Sequence, residues 1–442
     1  MDDYRRIADV LAAEITAGRL RAGDRLPPQR QFARRHGIAG STAARVYGEL
    51  VRRGLAVGEV GRGTFIRAAA TSPERALAEP ANARVDLELN FPIPSEQPAL
   101  LAAGLAGMLR PDVLAGALAP SGVAGTPAVR EAAASMLAVP GWTPDPGRIL
   151  LAGNGRQAIA AALAAVVPAG ARVGVEELTY PVVKAIAARL GVTLVPLAMD
   201  EHGVIPEAIR AAGALRAVYL QPTLHNPLGV TMPHTRRAEI AATLGELGIY
   251  AIEDRVYAFL RDDPAPLAAL APDRVIVIDS LSKRVAPGLT VGFVVTPESI
   301  RDQIASALRS CGWPAQRFAI EAATRWITGG AVAALCEIKR RDAAARQRLV
   351  REYLAEFAVA ADPRAYHCWW RLPDPWRADT FVAAAARHGI AVTPGAAYTV
   401  VAAHAPNAVR LALSAPPIDV LGTALATLAT LARTAPEDTA VE

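Results

Sequence analysis

The chain has 442 residues, of which 52% are hydrophobic and 20% charged, and its formal net charge is +5. This length exceeds what a single hydrophobic core supports, so two or three domains are expected. The sequence has no charge-free apolar run of membrane-spanning length and no hydrophobic signal segment at its start, which predicts a cytoplasmic protein without a membrane partner. Three scattered cysteines predict neither a disulfide framework nor a metal site.

The positive charge is concentrated at the amino terminus. Residues 1–67 carry 13 arginines and 7 acidic residues, so this sixth of the chain holds more than the whole positive excess. Such an asymmetry favours a polyanionic partner, although charge alone also allows a basic face that is merely solvated.

Residues 1–67 have the pattern of a winged helix-turn-helix domain. Apolar spacing predicts helices over residues 4–17, 28–35 and 42–53, with Ser41 capping the third, and a β-hairpin over residues 55–66. In this fold the third helix enters the major groove of double-stranded DNA. A small helical domain with ordinary surface arginines is the alternative. The predicted DNA-binding residues are Arg30, Ser41, Thr42, Arg45, Arg62 and Gly63.

Three motifs along this domain resemble the GntR-family DNA-binding domain. They are the segments 26–30 (Leu-Pro-Pro-Gln-Arg), 41–50 (Ser-Thr-Ala-Ala-Arg-Val-Tyr-Gly-Glu-Leu), and 54–56 with 61–65. The third helix starts with Gly40 and Ser41 where the family often has a Ser-Arg pair. The resemblance therefore implies the domain, and it leaves the base contacts open.

Residues 68–83 predict a mobile linker, because they lack apolar periodicity and are rich in small residues, proline and charge. Fully extended, a segment of this length would span about 50 Å. That reach allows a domain-swapped dimer without requiring one.

Residues 84–442 predict an α/β domain. From residue 148 onward strands and helices alternate, which indicates a mostly parallel sheet covered on both faces. The large part is expected at about 140–297, and a smaller α/β part at about 298–435 together with the N-terminal segment. Strands are predicted at 148–152, 172–175, 193–197, 217–220, 250–253, 275–279 and 291–295, with helices at 155–166, 181–190 and 235–247.

Polar features follow five of these strands, at the edge where open α/β sheets bind ligands. A lysine is rare in this arginine-rich chain, and Lys283, after a buried strand, is a candidate Schiff-base nucleophile because burial would lower its pKa. Each feature has an ordinary explanation, such as a snorkelling lysine, a packing tyrosine or a capping aspartate. Together they supply what pyridoxal 5'-phosphate (PLP) needs: Lys283 for the aldehyde, Asp254 for the ring nitrogen, Tyr257 and Asn226 for the phenolate oxygen, Tyr180 for stacking, and Asn154, Gly155 and Arg156 with Ser280 for the phosphate.

The order and spacing of four motifs resemble the fold type I aminotransferases of class I and II. These motifs are Asn226-Pro-Leu-Gly, Asp254-x-x-Tyr257, Ser280-x-Ser-Lys283 and Val409-Arg-Leu411. The resemblance implies that Lys283 is the Schiff-base lysine and that Arg410 binds a substrate or effector carboxylate. A surface salt bridge is the alternative for Arg410.

The sequence departs from the family pattern at the phosphate. Thr290 stands where many members have an arginine, Asn154 replaces a usual glycine, and Pro120 takes the place of a tyrosine that reaches a neighbouring subunit. Each lost charge-assisted bond would cost about 1.5 to 3 kcal/mol. Arg156 or Arg284 is expected to compensate.

A GntR-type winged helix joined to such a domain is the arrangement of the MocR subfamily of bacterial transcriptional regulators. The resemblance implies a homodimer that binds operator DNA and senses an amine, an amino acid or PLP itself. Two alternatives stay open: an active aminotransferase with an accessory DNA-binding domain, and a dimerisation scaffold that binds no PLP.

Overall fold

A computed structural model describes residues 3–16, 19–21, 23–52, 55–59, 63–66, 83–261, 265–312, 314–401 and 404–435. Within these ranges, no single helix has both the length and the apolar composition needed to cross a membrane. The segments 97–109 and 111–117 reach that length and composition only when taken together, and the chain bends by 98° between them.

The N-terminal domain is a winged helix. Its elements are α1 (Asp3–Thr16), β1 (Arg25–Leu26), α2 (Gln29–His36), α3 (Gly40–Arg52), β2 (Ala56–Glu59) and β3 (Gly63–Ile66). The strands form one antiparallel sheet in the order β1-β3-β2. Helix α2 ends at Gly37, whose φ of 63° is the left-handed conformation that glycine adopts without strain. The predicted fold of this domain is confirmed.

Two details of the domain differ from the prediction. Helix α3 begins earlier than expected, because the Ala43 N–H donates to the Ala39 carbonyl, so Ser41 lies inside the helix and does not cap it. Strand β1 was not predicted, since two residues are too few to show an alternating pattern. It adds a third strand to the wing and brings Arg25 opposite Phe65.

The large sheet has seven strands in the order β5-β13-β12-β11-β10-β6-β7. Strand β13 is antiparallel to both neighbours, and the other pairings are parallel. Since both faces are covered, every residue of β5, β10, β12 and β13 is buried. The strands are β5 (Ile149–Ala152), β6 (Arg172–Glu176), β7 (Thr193–Leu197), β10 (Ala217–Leu220), β11 (Tyr250–Asp254), β12 (Val275–Ser280) and β13 (Gly292–Val295), with a small ribbon of β8 (Met199–Asp200) and β9 (Gly203–Val204) beside them.

Helices cover the sheet on both sides. One face buries apolar side chains of α7, α8 and α12, and the other packs against α6, α10, α13 and α14. The helices preceding or flanking this sheet are α4 (Gln97–Ala106), α5 (Pro111–Ala117), α6 (Pro127–Leu137), α7 (Gly155–Val166), α8 (Pro181–Leu190), α9 (Pro206–Ala211), α10 (His234–Leu247), the short α11 (Leu281–Arg284), α12 (Arg301–Ser310), α13 (Arg317–Thr328) and α14 (Ala331–Tyr353).

A second sheet of five strands has the order β14-β15-β17-β16-β4. Its strand β4 comes from the N-terminal segment and pairs in parallel with β16, so the start of the domain is bound to its end. The elements are β4 (Val85–Leu87), β14 (Val359–Ala360), β15 (His367–Arg371), α15 (Ala378–Arg387), β16 (Ile390–Pro394), β17 (Ala408–Ala412) and α16 (Ile418–Arg433). The predicted fold type I architecture, a mostly parallel sheet with a small α/β unit, is confirmed.

Candidate cofactor site and nucleic-acid interface

The carboxyl ends of the large sheet's parallel strands and the start of α7 enclose a cavity of about 340 Å³, a size typical of cofactor sites. Nine residues predicted from the sequence line it: Asn154, Gly155, Arg156, Tyr180, Asn226, Asp254, Tyr257, Ser280 and Lys283. Sequence reasoning assigned no role to other wall residues, including Leu89, Phe91 and Gln221. Leu89 and Phe91 lie far from the motifs in sequence, so nothing local to those motifs indicated them.

Lys283 reaches the cavity from α11, directly after β12. Its Nζ donates to the Asn90 carbonyl at 2.6 Å and lies 3.6 Å from the centroid of the Phe91 ring. Burial lowers the pKa of Lys283 well below its usual value, and the charges of Arg410 and Arg156 lower it further. The side chain can therefore present the neutral amine that attack on an aldehyde requires.

A second lysine, Lys339 on α14, fixes the backbone of the first. Its fully buried Nζ donates to the carbonyls of Lys283 and Val285 at 3.0 and 2.6 Å, and burial lowers its pKa to about 8. Sequence reasoning missed this role. The scarcity of lysine in the sequence could have indicated that each lysine has a specific role. The remaining one, Lys184, also donates to backbone carbonyls, those of Ala397 and Thr399.

Asp254, the last residue of β11, is a buried carboxylate with three donors. Its Oδ2 accepts from the Tyr219 hydroxyl at 2.7 Å and from Gln221 Nε2 at 3.2 Å, and its Oδ1 accepts from the Val256 N–H at 3.1 Å. Burial raises the pKa of Asp254 to about 6, while these hydrogen bonds oppose the rise. Oδ1 keeps a lone pair for a further donor, such as a protonated ring nitrogen.

Asn226 and Tyr257 lie on the same wall and retain unused polar capacity. The buried Asn226 Oδ1 has no hydrogen-bond partner within the described residues. The Tyr257 hydroxyl accepts a long bond of 3.4 Å from Asn90 Nδ2 and still has its own proton to donate. Burial raises the pKa of Tyr257, so the hydroxyl remains a donor at neutral pH.

The first turn of α7 forms the opposite end of the cavity. Asn154 caps this helix by accepting from the Gln157 N–H at 2.9 Å, and Gly153 donates to Gln157 Oε1 at 2.6 Å. A Cβ on Gly155 would lie 3.3 Å from Ser280 Oγ, so glycine lets the loop approach β12 closely. Backbone amides in the first turn of a helix suit a phosphate.

Two hydroxyl groups also line the cavity. Ser282 Oγ and Thr290 Oγ1 are hydrogen-bonded to each other at 2.7 Å and both line the cavity. Arg156 also lines it and interacts with the Tyr180 hydroxyl. Arg156 is therefore placed as the alternative cation for the phosphate that the sequence suggested.

The expectation for Arg284 was wrong. Its guanidinium makes two bonds to the Asp279 carboxylate, Nη2 to Oδ2 at 2.6 Å and Nε to Oδ1 at 3.3 Å, in a buried ion pair. Because breaking such a pair would leave Asp279 charged and unpaired, Arg284 is not available to a phosphate.

Arg410 is not on the wall of this cavity. It is fully buried on β17, its Nη2 donates to the Glu88 carbonyl and the Thr393 hydroxyl, and its guanidinium lies 5.6 Å from the Tyr398 ring. Its Nε has no partner within the described part of the chain. Carboxylate binding by Arg410 stays a prediction.

The residues present fit PLP. The donors on the Tyr257 hydroxyl and the Asn226 side-chain NH2, the open position on Asp254, the low-pKa Lys283 and the amides at the start of α7 are the groups that its ring oxygen, ring nitrogen, aldehyde and phosphate require. The specific role of each residue remains a prediction.

The predicted DNA contacts on the helices are mostly exposed. Ser41 and Arg45 on α3 and Arg30 on α2 are exposed, whereas Thr42 is partly buried. The Tyr47 hydroxyl of α3 donates to the Pro27 carbonyl at 2.6 Å, which ties α3 to the segment that leads into α2. Arg45 is therefore exposed on a well-supported helix, with its guanidinium 5.8 Å from the Tyr4 ring, and a recognition helix of this kind carries such residues to a groove.

The wing includes one residue that the sequence did not suggest. Gly63 is exposed with φ of 122°, and a Cβ there would lie 2.9 Å from Arg25 Nε. Arg25 thus lies along the wing, where it can add a phosphate contact. Arg62 lies outside the described residues.

Comparison with known protein families supports the assignment of both the N-terminal domain and the α/β domain. Residues 121–428 match the model of aminotransferase class I and II, and residues 3–66 match that of the gntR family of bacterial regulatory proteins. The chain belongs to the aminotransferase class I and II family and carries an N-terminal GntR-type domain, so the predicted MocR arrangement is confirmed.

The similarity to one relative extends over nearly the whole chain. The chain is 29% identical over 420 residues to the HTH-type transcriptional regulator YdeF of Bacillus subtilis, covering 93% of this chain and 90% of the relative. It is 30% identical over 295 residues to the vitamin B6 salvage pathway transcriptional repressor PtsJ of Salmonella typhimurium, covering 66% of each. A kynurenine aminotransferase structure from Pyrococcus horikoshii matches with a TM-score of 0.72 at 22% identity, covering 80% of this chain and 92% of the other, which shows the fold.

Proposed function

We propose that this protein is a cytoplasmic transcriptional regulator that binds operator DNA through its winged helix and binds PLP in the cavity around Lys283. The proposal rests on the presence, in one chain, of an exposed Arg45 on α3 and of a cavity whose wall includes both Lys283 and Asp254. Relatives named as a vitamin B6 salvage repressor and as a pyridoxine biosynthesis regulator, PdxR of Corynebacterium glutamicum, support a PLP-linked response.

When bound, PLP would supply an electrophilic carbon and an electron-withdrawing ring. The chain's own residues would hold it in place. Lys283 would present its amine, Asp254 would accept from the ring nitrogen, Tyr257 and Asn226 would bind the ring oxygen, and Arg156 would pair with the phosphate. Exchange of an amine or amino acid at Lys283 would change which conformation is favoured.

We also propose a homodimer. Exposed apolar side chains on adjacent elements, Leu109, Leu114 and Leu118 near α5 and Phe318 on α13, support a protein partner surface. Pro120 lies beside them, among the residues of a shallow pocket between α5 and α13. An effector that alters this surface would alter how two winged helices engage an operator.

The DNA-binding half is tested with Arg45→Ala. Because a base or phosphate contact by arginine contributes about 1 to 3 kcal/mol, operator affinity should fall about tenfold or more. The measurement is fluorescence anisotropy with an operator fragment from the upstream region, at fixed salt. Arg348→Ala, on α14, is the control.

PLP binding by the Arg45→Ala protein should equal that of the parent, since the two sites share no residue. Unchanged DNA affinity would refute the role of Arg45. Loss of both functions would mean that the substitution unfolds the chain.

The intact ring-binding residues also favour a second function, a working aminotransferase. Steady turnover of an amino donor and a keto acid by the full chain would support it, whereas conversion of no more than one equivalent per site would support the regulator. A protein that gives no visible absorption at saturating PLP would be neither, and its large domain would be a scaffold.

A further inference from the structure

The ring-binding residues are not independent of one another, because one side chain connects two of them. Gln221 follows β10, is 4% exposed and lines the cavity. Its Nε2 donates to Asp254 Oδ2 at 3.2 Å, and its Oε1 accepts from the Asn226 N–H at 3.3 Å. One amide thus contacts the group that faces the ring nitrogen and the backbone of the group that faces the ring oxygen.

The Gln221 backbone is itself anchored. Its N–H donates to Glu176 Oε1 at 2.8 Å, and Glu176 Oε2 lies 3.5 Å from Nε2 of the buried His225. Glu176 is buried at the end of β6, the next strand of the sheet. The start of the turn 221–226 is therefore hydrogen-bonded to a neighbouring strand, and His225 near its end lies against the same carboxylate.

From this geometry we infer that Gln221 is a positioning residue for the cofactor, which keeps the Asp254 carboxylate ionised and oriented while it holds Asn226 in register with it. This inference rests on the proposed binding of PLP. It assigns to Gln221 a role that a packing residue would not have, since a packing residue would not change the protonation of Asp254.

The physical argument concerns the stability of a buried charge. Asp254 is enclosed, so each N–H or O–H aimed at it stabilises the ionised form, and Gln221 supplies one of the three. The other titratable groups facing Asp254 stay unchanged in a variant at position 221; they are Tyr219 on β10, Asp279 on β12, Lys283 on α11 and Tyr180 before α8.

The test is Gln221→Met, which keeps the side-chain length and the backbone N–H to Glu176 while it removes both amide contacts. PLP is titrated into the full-length protein from pH 5 to 8.5 and followed by visible absorption. For the parent, affinity should fall as the pH drops through about 6, where Asp254 becomes protonated. For Gln221→Met the midpoint should move up by about one pH unit, with about twofold weaker binding at pH 7 and about tenfold weaker binding at pH 5.

The matched control is Gln347→Met. Gln347 is a fully buried glutamine of α14 that donates to the Ala365 and His367 carbonyls, so its loss should destabilise the fold without moving the pH midpoint. A Gln221→Glu variant, which brings a second carboxyl to Asp254, should move the midpoint at least as far as Gln221→Met.

The outcomes separate the two proposals. If the parent gives no visible absorption with PLP at any pH, the proposed function fails. If the parent binds PLP and both variants at position 221 keep its midpoint, the positioning role is refuted. A Gln221→Met protein that is less stable, yet titrates like the parent, also refutes it, because that result is what a packing role predicts.

Discussion

The two ends of the cavity are built differently. At the ring end, buried side chains on the ends of β10 and β11 hold one another in place, as the three donors to Asp254 illustrate. At the phosphate end, an exposed Asn154, a partly buried Arg156 and two linked hydroxyls replace the stronger charges expected of the family. If PLP binds here as proposed, its ring would meet the more completely hydrogen-bonded end of the cavity and its phosphate the less charged one, which would suit a site that responds to the concentration of its ligand.

The largest expected effect on cofactor binding comes from replacing Lys283, the proposed Schiff-base lysine. Lys283→Ala should abolish the visible absorption of the bound cofactor, because no other lysine lines the cavity. Borohydride reduction followed by peptide mapping would find no label. Lys184→Arg is the control and should behave like the parent. Label on another lysine would show that the wrong amine was assigned.

The next effect separates the ring end from the phosphate end. Asp254→Ala removes the buried partner of the ring nitrogen and should weaken the binding of PLP and of pyridoxal alike, by roughly a hundredfold at most. Isothermal titration with both compounds measures it. Asp200→Asn, which alters an ion pair with Arg236 outside the cavity, is the control. A loss restricted to PLP would contradict the assignment.

The smallest effect is at the phosphate end. Arg156→Ala should weaken PLP about tenfold and leave pyridoxal, which has no phosphate, unchanged. The same calorimetry measures both. Adding Thr290→Arg to this variant should restore PLP affinity, since it returns the cation that the family often has at that position. Equal weakening of both compounds would mean that Arg156 acts through Tyr180 instead of through the phosphate.

The sequence predicted the strands of the large sheet to within one or two residues, because β-branched runs that are buried on both faces leave little ambiguity. It also predicted nine residues of the cavity wall, since motifs that follow parallel strands meet at one edge. Contacts between residues that are far apart in the sequence could not be predicted. The Asn90 carbonyl meets Lys283 only because β4 joins β16, and Lys339 reaches the same lysine from a helix 56 residues away.

The sequence also did not show in which direction a side chain points or which partner it contacts. The sequence offered Arg284 as a cation for the phosphate, but only the folded chain shows that Asp279 occupies it. The family resemblance implied Arg410 for a carboxylate, and only the folded chain shows that it also donates to the Glu88 carbonyl beside the Tyr398 ring. A planar guanidinium binds whichever oxygen the backbone brings near it, and the sequence does not give that geometry.

The placement of the three lysines has a chemical consequence. Lys184 and Lys339 each donate to two main-chain carbonyls, and Lys283 alone lies on the cavity wall. Every other basic side chain apart from histidine is an arginine, which does not form an imine under ordinary conditions. Among the side-chain amines, Lys283 is therefore the one placed to react with an aldehyde that enters the cavity.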